Sequence, residues 1–136
     1  MPLAGGPARE VLHRFVATDS LSVPPDSRQL LFGAGVVDGR WTNSLCDLPD
    51  CARQRELPGR SESWCRWTPD GRGLACVHLA DAKNVWVHPI VGGAPRQLTR
   101  FTDKDIADFA WSSDGARLAI TRSTKLSDRV LIRGFR

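Results

Sequence analysis

Residues 65–76 read Cys65-Arg-Trp-Thr-Pro-Asp-Gly-Arg-Gly-Leu-Ala-Cys76, and two other stretches of the chain have the same pattern. They are Leu21-Ser-Val-Pro-Pro-Asp-Ser-Arg-Gln-Leu-Leu-Phe32 and Phe109-Ala-Trp-Ser-Ser-Asp-Gly-Ala-Arg-Leu-Ala-Ile120. Successive copies start 44 residues apart. A fixed period of this length is typical of arrays of similar supersecondary units, so the repeat is the strongest indicator of the fold.

A second pattern has a related spacing. Pro2-Leu-Ala-Gly-Gly-Pro-Ala-Arg9 matches Pro89-Ile-Val-Gly-Gly-Ala-Pro-Arg96, which starts 87 residues later, about two periods on. Asp47-Leu-Pro-Asp-Cys-Ala-Arg53 is a weaker copy without the glycines. Two independent patterns with one period support a true internal repeat.

Each copy of the first pattern predicts a tight turn between two strands. Pro69 presets φ for a turn, the Asp70 side chain binds nearby backbone, and Gly71 accepts a positive φ. The corresponding turn residues in the other copies are Asp26, Ser27, Asp114 and Gly115. Because serine tolerates positive φ less well than glycine, we expect the first turn to be looser.

Short apolar runs predict the strands around these turns. Asn84–His88 and Arg129–Arg133 are third strands, and Arg96–Arg100 is a fourth. Four short strands in about 40–45 residues form one β-propeller blade. The predicted fold class is therefore all-β, with three four-stranded antiparallel blades and almost no helix.

The repeat also sets the domain boundaries. Residues 1–15 are an outer strand of a preceding or closing blade, 16–59 blade 1, 60–103 blade 2, and 104–136 blade 3, which lacks its last strand. Because propellers have about 4–8 blades, three blades leave a closure problem. The alternatives are a piece of a longer propeller, a head-to-tail homodimer that closes a six-bladed ring, and an open three-bladed monomer.

Trp67-Thr-Pro-Asp-Gly and Trp111-Ser-Ser-Asp-Gly resemble the Trp-Ser-Pro-Asp-Gly core of the TolB-like, WD-repeat-like propeller family. The final third of the chain resembles the C-terminal propeller of bacterial serine/threonine protein kinases. This resemblance implies a non-catalytic module for protein or ligand interaction in a bacterial sensor or scaffold protein. Its partner would be a protein, or the remainder of a longer propeller.

The alternative is an accessory propeller of a prolyl-oligopeptidase-type hydrolase without its catalytic domain. The chain has no Gly-x-Ser-x-Gly nucleophile motif, and its short glycine pairs do not continue as Gly-x-Gly-x-x-Gly. The histidines His13, His78 and His88 lie in no catalytic motif. We therefore expect no enzyme activity, no catalytic residues, no cofactor and no metal site.

The four cysteines suggest two different roles. Cys46 and Cys51 bracket a short turn and are candidates for a disulfide if the compartment is oxidising. Cys65 and Cys76 align with apolar residues in the other copies, so we interpret them as small core residues, although paired strands would also permit a bond. Neither pair has the spacing of a zinc site.

The tryptophans divide in the same way. Trp67 and Trp111 recur at one repeat position and are predicted core residues between blades. Trp41 and Trp64 have no counterpart and are candidates for a contact surface. Loops 38–41 and 79–83 are candidate binding loops at the ends of the blades.

Composition excludes some partners. The net charge is +4, but the arginines are scattered along the chain, so we expect no nucleic-acid partner. No apolar run approaches the ~20 residues of a membrane helix, and the first ten residues lack the apolar core of a signal peptide. The compartment stays open: cytoplasmic if this chain is the whole product, extracytoplasmic if it belongs to a membrane-anchored parent.

Overall fold

The regular structure of the chain consists entirely of β-strands where it is described. The computed structural model describes residues 7, 21–37, 40–57 and 63–124. These contain ten strands: β1 (Leu21–Ser22), β2 (Gln29–Val37), β3 (Arg40–Asp47), β4 (Gln54–Glu56), β5 (Ser63–Trp67), β6 (Gly73–His78), β7 (Asp81–Pro89), β8 (Arg96–Gln97), β9 (Asp105–Trp111) and β10 (Leu118–Ser123). Among the described residues there is no helix that could span a membrane.

The strands form three separate antiparallel sheets. Strands β1 to β4 form the first, β5 to β8 the second, and β9 and β10 pair in the third, each in sequential order. The all-β prediction is confirmed, and the first two sheets have the four strands expected of a blade. The predicted strands within residues 1–15 and at 129–133 lie outside the described residues, apart from Pro7.

Equivalent residues of the repeat occupy equivalent places in the sheets. Leu21 lies opposite Phe32 in blade 1, as Cys65 lies opposite Cys76 in blade 2 and Phe109 opposite Ile120 in blade 3. Farther out, Leu30 pairs with Cys46 and Leu74 with His88. The burial of equivalent residues can therefore be compared directly from blade to blade.

Two apolar clusters join the sheets face to face. The cluster between blades 1 and 2 consists of Leu31, Leu45, Leu57, Cys65, Trp67, Leu74 and Cys76. The cluster between blades 2 and 3 consists of Ala75, Val77, Val85, Ile106 and Phe109, with half-buried Trp111, Leu118 and Ile120 against it. Blade 2 thus buries both faces, because period-2 alternation presents apolar side chains on each side of the sheet.

All three predicted turns close with the same backbone hydrogen bond. The N–H groups of Ser27, Gly71 and Gly115 each donate, over 2.9 Å, to the carbonyl three residues earlier. Their φ angles are 55°, 66° and 71°, so Ser27 takes the left-handed conformation of the two glycines. The expectation of a looser first turn is wrong for the backbone, because Ser27 adopts the conformation that closes the turn.

The first turn differs instead in its side-chain bonds. Thr68 and Ser112 each offer a hydroxyl to the aspartate two residues later, at 2.6 Å and 2.5 Å. Pro24 occupies this position in blade 1 and has neither a hydroxyl nor an N–H group. Among the described residues, Asp26 accepts the bond from the backbone N–H of Arg28 but none from a hydroxyl at this position.

A buried side chain holds the short outer strand of blade 2. Asn84, 5% exposed, accepts hydrogen bonds at Oδ1 from Phe101 N (2.8 Å) and Thr99 Oγ1 (3.0 Å). Its Nδ2 donates to Phe101 O at 3.1 Å. Because β8 has only two residues, these bonds extend its attachment to β7 into the segment that follows it, together with the bonds from Leu98 N to Val85 O and from Val85 N to Thr99 Oγ1.

Candidate interaction surface

A cleft of about 370 Å³ lies between blades 2 and 3. The turn after β5, the end of β7 and the start of β8 form one side, and blade 3 closes the other. Its lining includes Asp70, Arg72, Val87, Arg96, Trp111 and Gly115. The cleft therefore combines two guanidinium groups, one carboxylate and apolar walls.

Hydrogen bonds to the turn hold the carboxylate of the cleft in its ionised form. Asp70 Oδ1 accepts from Thr68 Oγ1 at 2.6 Å and from the backbone N–H of Arg72 at 3.0 Å. These two bonds, with that from Thr68 the stronger, lower the pKa of Asp70 below its ordinary value. Thr68 is fixed in turn, because its Oγ1 accepts from Gly73 N at 3.0 Å.

The two guanidinium groups of the cleft face solvent. Arg72 and Arg96 are exposed, and among the described residues neither side chain takes part in a salt bridge. Arg72 is attracted electrostatically to Asp70, whereas Arg96 has no described carboxylate paired with it. A guanidinium presents several N–H donors in one plane, which suits a carboxylate or another planar anion.

The apolar part of the cleft is supplied by strand ends and one indole. Val87 and Pro89 lie at the end of β7, and half-buried Trp111 ends β9. The Trp111 Nε1 atom is buried and has no hydrogen-bond partner among the described residues. The cleft can thus accommodate an apolar group beside an anionic one.

A cluster of side chains fixes the spacing of the two blades beside the cleft. Arg66 forms an ion pair with Asp108 at 3.0 Å and donates a hydrogen bond to the carbonyl of Phe109. Its guanidinium lies 5.6 Å from the centre of the Phe109 ring, and Trp64 stacks on the same ring with centroids 4.8 Å apart. These contacts attach β5 to β9, so the walls of the cleft are held in register.

This cluster gives Trp64 a neighbour that the sequence did not indicate. The sequence predicts a contact residue at Trp64, because no other repeat has a tryptophan there. In the structure it is half-buried and packs between blades 2 and 3. The equivalent residue of blade 3 is Asp108, which pairs with Arg66 in the same cluster. Trp64 and Asp108, which occupy the same position of the repeat, therefore both lie at the junction of blades 2 and 3.

The other singled-out tryptophans lie in different surroundings. Trp67 is 6% exposed in the cluster between blades 1 and 2. Trp111 packs against the cluster between blades 2 and 3 and lines the cleft. Trp41 lies in β3, and its side chain is outside the described residues.

No described residue of the two candidate loops lines the cleft. Asp38 and Gly39 lie outside the described residues. Leu79, 61% exposed, follows β6, whereas the turn that lines the cleft precedes β6. Loop 79–83 is therefore at the opposite end of the blade. Sequence reasoning missed the cleft because Arg72 and Arg96 meet only through the order of strands in the sheet.

The cysteines form two close pairs. The Cα atoms of Cys46 and Cys51 are 4.9 Å apart and those of Cys65 and Cys76 are 4.1 Å apart, and both pairs are bonded in the structure. Cys65 and Cys76 are also at most 1% exposed in the cluster between blades 1 and 2. They thus occupy core positions, as predicted, and are also joined by the bond that paired strands permit. Whether either bond forms in solution stays a prediction.

Two histidines meet on the face of blade 2 that contacts blade 1. The Nε2 atoms of His78 and His88 are 3.2 Å apart, and Trp86 lies edge-on to His78. Burial lowers the pKa of His78, although nearby Asp81 opposes the change. Within the described ranges no group of three or more His, Cys, Asp or Glu side chains is placed to hold a metal ion. The two histidines thus pack against each other, and His78 also packs against Trp86.

Two solved structures share this arrangement of blades. A TolB from Acinetobacter baumannii aligns with a TM-score of 0.68 and 24% identity, over 83% of this chain and 29% of that one. The chain has a β-propeller fold. The Cps50 (Swd1) beta-propeller domain from Myceliophteria thermophila aligns with a TM-score of 0.58 and 19% identity, over 85% of this chain and 38% of that one.

The propeller chain thus spans less than a third of the TolB structure and about two fifths of the second propeller. No protein-family model and no curated protein matches the sequence. The predicted resemblance to TolB-like and WD-repeat propellers is confirmed at the level of the fold. The resemblance to kinase-linked propellers has no support among these structures.

Proposed function

We propose that this chain is a non-catalytic propeller module that binds a protein partner through the cleft between blades 2 and 3. The observation that carries the proposal is the pairing of exposed Arg72 and Arg96 with the apolar wall of Val87, Pro89 and Trp111. A peptide segment with a carboxylate side chain next to an apolar one matches this lining.

Charge and rigidity support the same function. The guanidinium groups are exposed and can bind without first breaking a salt bridge to a described side chain. The walls are held by the Arg66–Asp108 contact and by the Thr68 hydrogen bonds. A preorganised site loses less conformational entropy on binding than a mobile one.

The context of the module is also a proposal. A bacterial sensor or scaffold protein, such as a kinase-linked propeller, would use this chain as its distal, partner-binding part. The alternative is an accessory propeller of a prolyl-oligopeptidase-type hydrolase, and no described residue favours it. The neighbouring coding sequence distinguishes them: an upstream kinase domain supports the first, and a downstream Gly-x-Ser-x-Gly supports the second.

Fluorescence anisotropy with a labelled peptide tests the binding site. The probe is a fluorescein-labelled octapeptide of alternating Glu and Phe, titrated at low and at physiological salt. We expect binding that weakens with salt and falls at least ~10-fold in the Arg72→Ala/Arg96→Ala variant, the loss of two charged hydrogen bonds. The matched control is Arg55→Ala/Arg100→Ala, which removes two exposed arginines outside the cleft lining.

Two results would contradict the proposal. One is an equal loss of affinity in both double variants, since net charge alone would then explain binding. The other is equal affinity for a peptide in which Gln replaces Glu. A panel of hydrolase substrates tests the non-catalytic part separately, and turnover abolished by one substitution in this chain would refute it.

A further inference from the structure

Blade 1 exposes apolar residues at positions that are buried in blade 2. We call the surface formed by Leu21 and Val23 the leading face of blade 1. On the same side of the sheet, Phe32 is 3% exposed and packs with half-buried Leu30 against Cys46 and Cys51. Leu21 is 69% exposed and Val23 is 46% exposed. Their equivalents in blade 2, Cys65 and Trp67, are 1% and 6% exposed, because blade 1 packs over them.

Blade 3 exposes the complementary positions. We call the surface formed by Ala110, Ala119 and Thr121 its trailing face, and all three residues are exposed. The equivalents of Ala119 and Thr121 in blade 2 are Ala75 and Val77, each 0% exposed. Those two residues are buried because blade 3 packs over them.

The internal junction between blades 2 and 3 shows how a leading face fits a trailing face. There Phe109 and Ile120, from the leading side of blade 3, pack in one cluster with Ala75 and Val77. Large side chains meet small ones, which lets the two sheets approach closely. By the repeat, Leu21 takes the place of Phe109 and Ala119 takes the place of Ala75, whereas Phe32, the equivalent of Ile120, is already buried against Cys46 and Cys51.

The turns provide a second, independent match. At the internal junctions each turn glycine lies against a proline of the preceding blade, in the pairs Gly71 with Pro25 and Gly115 with Pro69. The repeat places Ser27 and Ser113 at the two remaining positions of this series. Ser113 lacks the proline Cδ, which is the Pro25 atom nearest to a Cβ built on Gly71, at 3.5 Å, but it retains the Cβ, which is the Pro69 atom nearest to a Cβ built on Gly115, at 2.6 Å. A junction in which blade 3 precedes blade 1 therefore fits Ser27 and Ser113 at the wider spacing of Gly71 and Pro25, and not at that of Gly115 and Pro69.

We propose that the leading face of blade 1 binds the trailing face of blade 3 in a second copy of this chain. The contact joins two different surfaces and is heterologous, so two copies meeting head to tail form it twice and close on themselves. The closed dimer contains six blades, which is within the range of known propellers. This inference concerns the outward faces of blades 1 and 3 and does not depend on the cleft proposed as the partner site.

Size-exclusion chromatography with light scattering tests the proposal on the full chain. We expect twice the chain mass of 15.0 kDa at tens of micromolar protein. Leu21→Asp and Ala119→Arg are each expected to reduce the mass to that of one chain, because a charge is placed in the apolar contact. Leu79→Asp is the matched control: it places the same charge at another exposed leucine and leaves the mass doubled.

Mixing the two variants distinguishes this head-to-tail contact from any symmetric one. The Leu21→Asp chain keeps its trailing face and the Ala119→Arg chain keeps its leading face, so an equimolar mixture recovers the doubled mass. A symmetric contact would not be restored in this way.

The proposal is overturned by a wild-type chain of single mass. It is also overturned by a Leu21→Asp chain that stays dimeric, by a mixture that stays monomeric, or by a concentration-dependent ladder of larger species. Circular dichroism of each variant confirms that the β-sheet is retained, so that a change in mass reports association.

Discussion

Gly115 lies against Pro69 at the junction of blades 2 and 3, and a Cβ atom built on Gly115 would be 2.6 Å from the Cβ of Pro69. The φ angle of Gly115 is +71°, a conformation that L side chains rarely adopt. One position thus combines a backbone requirement for glycine with a close contact between blades.

Gly115→Ala is expected to destabilise the chain by about 2–4 kcal/mol, since the positive φ costs about 1–2 kcal/mol and the overlap with Pro69 adds to it. Gly92→Ala is the matched control, because Gly92 has φ +54° and its Cβ would meet nothing within 4 Å. Gly92→Ala should reduce the free energy of unfolding only by the cost of placing a side chain at a positive φ. Urea unfolding followed by tryptophan fluorescence measures both, and equal midpoints for the two variants would contradict the contact.

Ser27→Gly is expected to stabilise the chain by about 0.5–1 kcal/mol. Ser27 has φ 55° in the turn where its equivalents are glycines, so glycine removes the strain but adds entropy to the unfolded chain. The same unfolding experiment measures the gain. A lower midpoint than that of the wild type would mean that the Ser27 side chain makes a stabilising contact that outweighs the strain.

The hydrogen bonds to Asp70 predict a pH dependence in acid. Because the pKa of Asp70 is lowered in the folded chain, the carboxylate contributes stability above its unfolded pKa of about 3.9. This contribution is lost as the pH falls from that value through the lower, folded pKa.

Thermal unfolding between pH 2 and pH 6 checks this prediction. Asp70→Asn should flatten the fall in melting temperature below pH 4, whereas Glu56→Gln, which removes an exposed carboxylate from β4, should leave it as in the wild type. Identical profiles for Asp70→Asn and the wild type would show that other carboxylates control acid unfolding.

The cysteine pairs predict a specific alkylation pattern. Denatured, unreduced protein from an oxidising preparation should take up no iodoacetamide, and reduced protein should take up four carbamidomethyl groups, one for each cysteine. Proteolytic peptides linked as Cys46–Cys51 and Cys65–Cys76 are expected. Four groups without reduction would exclude both bonds, and a Cys51–Cys65 linkage would contradict the strand pairing.

The blade architecture could be predicted because the repeat is local and its turn chemistry is explicit. The turns at Asp70 and Asp114 contain all the residues that shape them, so spacing alone located them. The four strands of the first two sheets followed from apolar runs between turns. What the repeat could not specify was the first turn, where Ser27 adopts the glycine conformation because the chain on both sides is held in strands.

The candidate site was beyond sequence reasoning for a different reason. Arg72 and Arg96 are 24 residues apart and belong to different strand connections, so only the pairing of β6, β7 and β8 brings them to one cleft. Likewise, the Trp64 interaction with Phe109 depends on the packing of one sheet on the next. No other repeat has a tryptophan at this position. The equivalent residue of blade 3 is Asp108, and it lies on the other side of the same junction.

Asn84 helps to attach the outer edge of blade 2 to β7, which the two-residue length of β8 would not suggest. The two-residue strand β8 has two paired positions on β7, and the segment after it is held by the Asn84 amide and by two bonds of the Val85 backbone, to Leu98 and to Thr99. Release of these few bonds would uncover the N–H and C=O groups along β7 while β5, β6 and β7 stay paired, which is the arrangement that accepts a foreign strand. The lowest-energy opening of this blade is therefore at its rim, and the axial core would be protected longest against amide hydrogen exchange.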